Sequence, residues 1–223
     1  MTAKGTYFPV GANMFVPDAV YAADCFLEGK LFVDLTPTAP ATLDADGILD
    51  GQSIATAGST TTFNVLFEQT EAQMGKFGRC LQVVASGAAT STVTVYGLDY
   101  LGQPMMETMT LNGTNAVLGL KAFRRVTSVS WSGTGGTTID LGTRDCFGLP
   151  YAYQGDGVDY TDAVRSGTQG TYVARVATQT ATSGDPRGTF APHTSVAANG
   201  SRKYTLTYEP YRSALYGARH YYA

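Results

Sequence analysis

The sequence has few charged residues, and that shortage narrows what the chain can do. Charged residues make up 15% of its 223 residues, against about 25% in an average soluble domain. With 15 basic and 18 acidic residues, the net charge is −3. No overall positive field is present to attract nucleic acid or an anionic membrane. We therefore expect surfaces that are uncharged because they face other protein.

Cysteine is also scarce. Cys25, Cys80 and Cys146 are far apart, odd in number and in no CxxC spacing. They predict neither a disulfide framework nor a zinc site. We expect small buried hydrophobic side chains in a reducing compartment.

Long apolar runs are missing as well. No stretch approaches the ~18 apolar residues of a membrane span, and residues 1–5 lead directly into mixed sequence without an apolar signal segment. The expectation is a protein made and used without Sec export and without membrane contact.

Short alternating segments between glycine and asparagine turns dominate what is present. They predict strands at 63–67, 80–84, 92–96, 105–111, 123–131, 138–141, 172–176 and 202–208. Asn112-Gly113 and Gly133–Gly136 are predicted hairpin turns. No apolar period of 3.6 residues is sustained over a dozen residues. The pattern predicts an all-β fold, an antiparallel β-sandwich of Ig-like or jelly-roll-like type.

Proline divides the chain in two. Pro9, Pro17, Pro37 and Pro40 discourage long regular elements, so residues 1–50 are predicted to be an extended N-terminal arm with one short strand. Residues 51–223 are predicted to form the sandwich domain, ending in a Tyr/Arg-rich C-terminal segment.

Histidine, the commonest acid–base residue, occurs only as His193 and His220. His193 is close in sequence to Asp185 and Ser195, but no nucleophile-elbow motif accompanies them. A loop histidine is the favoured interpretation, and we predict no catalytic residues and no enzyme activity.

Two further patterns invite a ligand-binding interpretation. Asp44, Asp46 and Asp50 offer the oxygen ligands that Ca²⁺ prefers, but the EF-hand spacing is absent and an acidic surface turn is favoured. Gly133–Gly136 is superficially a phosphate loop, but no Gly-Lys-Ser/Thr follows it. We predict no metal and no cofactor.

The C-terminal segment interleaves aromatic residues with arginine, a composition enriched at interface hot spots. It could instead be ordinary core, or could stack single-stranded bases; the acidic balance elsewhere favours a protein interface. The predicted interface residues are Tyr208, Tyr211, Arg212, Tyr216, Arg219, Tyr221 and Tyr222.

Five segments carry a family resemblance: 93–102, 107–114, 121–129, 139–151 and 182–190. Together they resemble the Ig-like β-sandwich modules of tailed-bacteriophage virion proteins, most of all capsid decoration (cement) proteins. The resemblance implies a non-enzymatic protein of the virion, made in the host cytoplasm. It would bind the major capsid protein or other virion proteins as a homo-oligomer, with a trimer favoured, and would not bind nucleic acid directly.

Two alternatives stay open. The chain could be a neck, adaptor or tail component of the virion. It could also be a carbohydrate-binding β-sandwich used for adsorption, which would need exposed aromatic side chains on one sheet face. Trp131 is the only tryptophan, and we expect it in a buried strand.

Overall fold

The computed structural model describes residues 31–34, 38–133, 136–153, 160–161 and 170–208. Within these ranges nearly every regular element is a strand, and every strand pairing is antiparallel. The predicted all-β, sandwich-like fold is confirmed. Most of the predicted N-terminal arm lies outside the described residues.

Thirteen strands and one short helix are described. The helix α1 is Glu71–Met74, and a 3-10 turn covers Thr194–Val196. The strands are β1 Leu31–Asp34, β2 Leu49–Ser53, β3 Gly58–Thr60, β4 Arg79–Ala85, β5 Thr92–Leu98, β6 Pro104–Thr110, β7 Val117–Phe123, β8 Arg125–Trp131, β9 Thr138–Gly148, β10 Tyr160–Thr161, β11 Thr171–Val173, β12 Thr189–Ala191 and β13 Thr205–Tyr208.

The strands form three sheets. The four-stranded sheet has the order β3-β8-β5-β6, and the six-stranded sheet has the order β11-β12-β9-β4-β7 with β2 also paired to β9. A small sheet contains β1-β13-β10. The two larger sheets pack face to face, because buried side chains of β5, β6 and β8 and of β2, β4 and β9 belong to one apolar cluster.

The aliphatic core fills the space between the two larger sheets. Val93 and Val95 of β5 meet Leu81 and Val83 of β4 there, all fully buried. Burying such side chains contributes about 1.5–3 kcal/mol each. This core carries most of the apolar burial that holds the sandwich together.

The aromatic core lies where the six-stranded sheet meets the small one. Tyr204, Leu206 and Tyr208 share one face, as predicted, and all three are fully buried. Phe147 and Phe190 pack against Tyr204, with ring centroids 5.8 and 6.3 Å away. The remaining members are Val33, Leu149, Tyr153 and Ala198.

The predicted strand at 63–67 is wrong. Phe67 is buried and Phe63 is half-buried, but the segment is a turn that leaves Val65 and Leu66 in solvent. Phe67 N donates to Asn64 O at 3.0 Å, which closes the turn. Two anchoring aromatics four residues apart imitate strand alternation without forming a strand.

Both predicted hairpins are also wrong. Asn112-Gly113 reverses the chain, with Gly113 at φ 59°, but β6 pairs with β5 while β7 pairs with β4. Likewise Gly133 follows β8 in one sheet and leads to β9 in the other. Turn chemistry predicts that the chain reverses, but it does not say with which strand the next segment pairs.

Two boundaries differ from expectation. The predicted strand at 123–131 is divided into the end of β7 and all of β8, and the rest of β7 was not predicted. The predicted domain boundary at residue 50 falls inside β2. Ile48, just before it, is fully buried and its N–H donates to Leu141 O at 2.9 Å.

Candidate functional site

A buried ion pair joins the β5–β6 turn to the segment before β12. Arg187 Nη1 donates to Asp99 Oδ2 at 2.9 Å with both side chains fully buried. Arg187 Nε also donates to Leu149 O at 3.0 Å, and the guanidinium lies 4.8 Å from the Tyr100 ring centroid. The pair fixes the β5–β6 turn onto the aromatic core.

Asp185, two residues earlier, uses its carboxylate to accept hydrogen bonds from the backbone. Its Oδ2 accepts from Ala122 N at 3.0 Å, and its Oδ1 accepts from Arg187 N at 2.9 Å. Burial raises the pKa of this carboxyl, while the charge of Arg187 and the two hydrogen bonds oppose the rise. Both oxygens therefore hold the chain in place.

A second buried arginine repeats this arrangement. Arg79 Nη2 donates to Asp145 Oδ1 at 2.5 Å, and its guanidinium lies 5.1 Å from the Phe147 ring centroid. Asp145 Oδ2 accepts from Ala198 N at 2.9 Å. Burial lowers the pKa of Arg79, although arginine stays charged in proteins. Two cations thus stiffen the aromatic core by pairing and stacking.

The three residues considered for hydrolysis do not assemble into a triad. His193 Nδ1 lies 2.9 Å from Ser195 Oγ and accepts from Ser195 N at 3.2 Å, so the imidazole caps the 3-10 turn that follows. His193 and Ser195 are exposed, whereas both oxygens of buried Asp185 are occupied elsewhere. His220 lies outside the described residues.

The acidic segment at 44–50 leads into β2 and is tied to β9 by hydrogen bonds. Asp44 N donates to Thr143 Oγ1 at 3.0 Å, and Thr143 N donates to Asp44 O at 2.7 Å. Burial and the neighbouring Asp46 raise the pKa of Asp44. In the part of the chain that the structure describes, no group of three histidine, cysteine or acidic side chains could hold a metal ion.

Cys80 and Cys146 lie next to each other on β4 and β9, both buried. Burial and the Cys146 side chain raise the pKa of the Cys80 thiol, and the hydrogen bond from Cys80 lowers that of Cys146. Their predicted burial is confirmed, while Cys25 lies outside the described residues. Their adjacency could not be predicted, because only sheet register brings them together.

Tyr208 is the one predicted interface residue that the structure describes, and it is part of the aromatic core. Its hydroxyl donates to Tyr151 O at 2.9 Å and accepts from Tyr151 N at 3.2 Å. The Tyr208 ring is fully buried within its own chain, the ordinary-core arrangement that the sequence left open beside the interface. The other six, Tyr211, Arg212, Tyr216, Arg219, Tyr221 and Tyr222, lie outside the described residues.

An apolar groove, here called the β5–β6 groove, opens on the outer face of the four-stranded sheet. It encloses about 450 Å³ and is lined by Tyr96, Leu98, Pro104 and Met106. Tyr96 and Leu98 lie on the same outward-facing side of β5 as its threonines, and Pro104 and Met106 face outward from β6. Large apolar side chains at outward-facing strand positions were the sequence signal for this surface, and the sequence analysis did not use it.

The wall of the groove is held by a buried lysine. Lys121 Nζ donates to Gln179 Oε1 at 3.2 Å and to Thr180 O at 2.8 Å. Burial lowers the pKa of Lys121, opposed by Glu107 and Asp185. The lysine fixes the polar segment that borders the groove.

Glu107 is an acidic side chain that points inward from β6. Its Oε1 accepts from Leu120 N at 2.5 Å and from Lys121 N at 3.2 Å, which ties β6 to β7 across the corner of the sandwich. Gly119 makes room for it, because a Cβ there would lie 2.6 Å from Glu107 Oε2. Burial raises the pKa of Glu107 to about 7, although both backbone hydrogen bonds oppose the rise.

Comparison with known proteins adds no assignment. No family model, no curated protein and no solved structure matches the chain. Among the described residues, no helix is both long and apolar enough to span a bilayer.

Proposed function

We propose that this chain is a non-enzymatic structural protein of a bacteriophage virion that binds and stabilises the capsid as a decoration protein. The observation that carries the proposal is the outer face of the four-stranded sheet. Threonine and serine cover much of that face, and the apolar β5–β6 groove opens at one end of it. Interface centres are depleted in charge and enriched in aromatic residues and methionine, and Tyr96 and Met106 give the groove such a lining.

The use of the charged side chains supports the same proposal. Arg187, Asp185 and Asp99 lie in segments that resemble decoration proteins, and each serves internal pairing. A buried pair of this kind favours one arrangement of two chain segments. A rigid module with apolar contact area suits a protein whose work is to hold neighbouring subunits together.

Binding would gain from repetition. One contact of standard size buries about 1,600 Å², and a shell offers many equivalent positions to linked copies. The expected homo-oligomer, with a trimer favoured, belongs to this proposal. So does the expected partner, the major capsid protein, and so does the Tyr/Arg-rich segment 209–223 as a contact to it.

The test is co-sedimentation of the purified chain with empty, tail-less capsids of the phage whose genome encodes it. Saturable pelleting is the expected result, and a variant lacking residues 209–223 should pellet less. Isolated tails serve as the second target. Binding to tails alone would replace the capsid assignment with the neck, adaptor or tail alternative, and binding to neither would end the virion proposal.

The adsorption alternative gains no support from Trp131. Its indole Nε1 donates to Thr56 O at 2.9 Å, and its ring packs over Gly58. The tryptophan is thus half-buried against its own chain rather than presented as a flat platform for a sugar ring.

A further inference from the structure

The turn at residues 64–67, here called the 64–67 turn, holds two apolar side chains in solvent. Val65 is 88% exposed and Leu66 is 83% exposed. Single exposed apolar residues are common and need no explanation. Two adjacent ones at the tip of an ordered turn form a projecting apolar contact, which is typical of an interaction site.

The 64–67 turn is anchored on both sides. Asn64 N donates to Ile48 O at 3.0 Å, and Asn64 Oδ1 accepts from Leu66 N at 3.2 Å. Phe67 is buried in the aliphatic core. The tip is therefore presented in one conformation, so a partner that covers it would not have to order it first.

Two residues after the 64–67 turn, Gln69 fixes the chain to the edge of β8 that faces away from β5. Val126 N donates to Gln69 Oε1 at 2.6 Å, and Gln69 Nε2 donates to Val126 O at 3.2 Å. The β5–β6 groove lies on the other side of β8, at the far edge of the same sheet. The projecting contact and the groove are thus separate patches on one molecule.

The charges beside the two patches are opposite in sign. Glu68, two residues after Leu66, is exposed. Arg125 is also exposed and pairs with Leu98, which lines the groove. If Leu66 enters the groove of another copy, Glu68 approaches its Arg125, an arrangement that favours this register.

We propose that the Val65–Leu66 tip of one copy inserts into the β5–β6 groove of a second copy, so that copies join head to tail. The contact rests on the proposed function, since it supplies the self-association that a decoration protein requires. Because the two patches differ, the contact is heterologous, and repetition closes a ring or extends a filament rather than stopping at a two-fold dimer.

The experiment uses two single variants that damage opposite halves of the contact. Leu66→Asp removes the tip and leaves the groove, while Met106→Asp blocks the groove and leaves the tip. Both positions are exposed, at 83% and 43%, so the fold is expected to persist, and unchanged thermal melts establish this. Val173→Asp, on β11 and 48% exposed, is the matched control.

Sedimentation velocity up to about 0.1 mM, a concentration that detects micromolar contacts, measures the association. Wild type and Val173→Asp are expected to form oligomers, and each contact variant alone should weaken association at least about 30-fold. Mixed in equal amounts, the two contact variants should form a one-to-one dimer, because one supplies an intact groove and the other an intact tip.

Three results would overturn the contact: a wild type that stays monomeric, variants that associate like wild type, or a mixture that remains monomeric. Capsid co-sedimentation separates this failure from failure of the proposed function. A chain that pellets with capsids but does not associate by itself loses only the head-to-tail contact.

Discussion

The aliphatic core is closed almost entirely by side chains without hydrogen-bonding groups, whereas the aromatic core is closed by tyrosines and two buried arginines. In the first, Leu81 and Val93 belong to a cluster of buried apolar side chains. In the second, Tyr204 donates to Val196 O at 2.7 Å, and the arginines make directed bonds. The stability of the aliphatic core depends on side-chain volume, and that of the aromatic core depends on the geometry of its hydrogen bonds and ion pairs.

The two cores should therefore differ in how well they tolerate amino-acid substitutions. Apolar cores accept substitutions that conserve volume, whereas a buried polar group that loses its partner pays its full desolvation cost. Asp99, Arg187 and Asp145 make the ion pairs of the aromatic core. These side chains fix the path of the chain.

The largest predicted effect comes from breaking the ion pair of the aromatic core. Arg187→Ala removes the partner of buried Asp99 and should lower the free energy of unfolding by about 3–5 kcal/mol. Urea denaturation measures it. The exposed Arg202→Ala is the control and should change stability by less than about 1 kcal/mol.

The double variant of Arg187→Ala with Asp99→Ala sharpens the same point. It should cost less than the sum of the single variants, since Asp99 is no longer left as a buried charge without its partner. A loss below about 1 kcal/mol for Arg187→Ala would show that the pair does not hold the aromatic core.

The next effect tests Glu107, the buried acidic side chain that points inward from β6. The pKa of Glu107 is raised from 4.5 unfolded to about 7 folded, so the folded state binds the extra proton between these values. Stability from this group is therefore fully present below about pH 4.5 and is lost as the pH rises to about 7, by on the order of 3 kcal/mol at most.

Glu107→Gln isolates this contribution from other carboxyls. The difference in unfolding free energy, wild type minus variant, should decrease between about pH 4.5 and pH 7 and then stay level. Urea denaturation at a series of pH values measures it. A difference that is constant, or that grows with pH, would contradict the assignment.

A smaller effect is expected from a conservative substitution in the aromatic core. Tyr208→Phe keeps the ring but loses both hydrogen bonds to Tyr151, which should cost about 1–2 kcal/mol. Thermal and urea denaturation report the loss. If Tyr208→Phe were neutral, the directed bonds of the aromatic core would contribute nothing measurable.

The smallest effect is expected in the aliphatic core. Leu81→Met conserves volume and should cost less than about 1.5 kcal/mol, whereas Leu81→Ala, which leaves a cavity, should cost about 2–5 kcal/mol. Equal losses from both variants, again measured by urea denaturation, would mean that this core is as shape-specific as the aromatic one.

The same contrast explains how much the sequence could predict. Alternation identified β4, β5 and β6 and the buried face of β13, because one buried face imposes a period of two. The strand β7 escaped notice since its pattern is inverted. Leu118 and Leu120 face solvent while Gly119 and Lys121 face inward.

Pairing over long distances could not be predicted from local pattern. Asp99 and Arg187 are 88 residues apart, and only the fold brings them within 2.9 Å. The β5–β6 groove combines residues near 96–106 with a segment near 179–180 for the same reason. For the candidate surface, the sequence could show only that large apolar side chains occupy outward-facing positions of the strands.

The most direct test of the central claim, that this chain is a structural component of a phage capsid, is its copy number in purified virions. Quantitative mass spectrometry with an isotope-labelled standard measures it against the major capsid protein. A decoration protein that covers the shell should be present in a copy number of the same order as that of the capsid subunit. Absence from the particle, or only the few copies that a neck or tail ring holds, would contradict it.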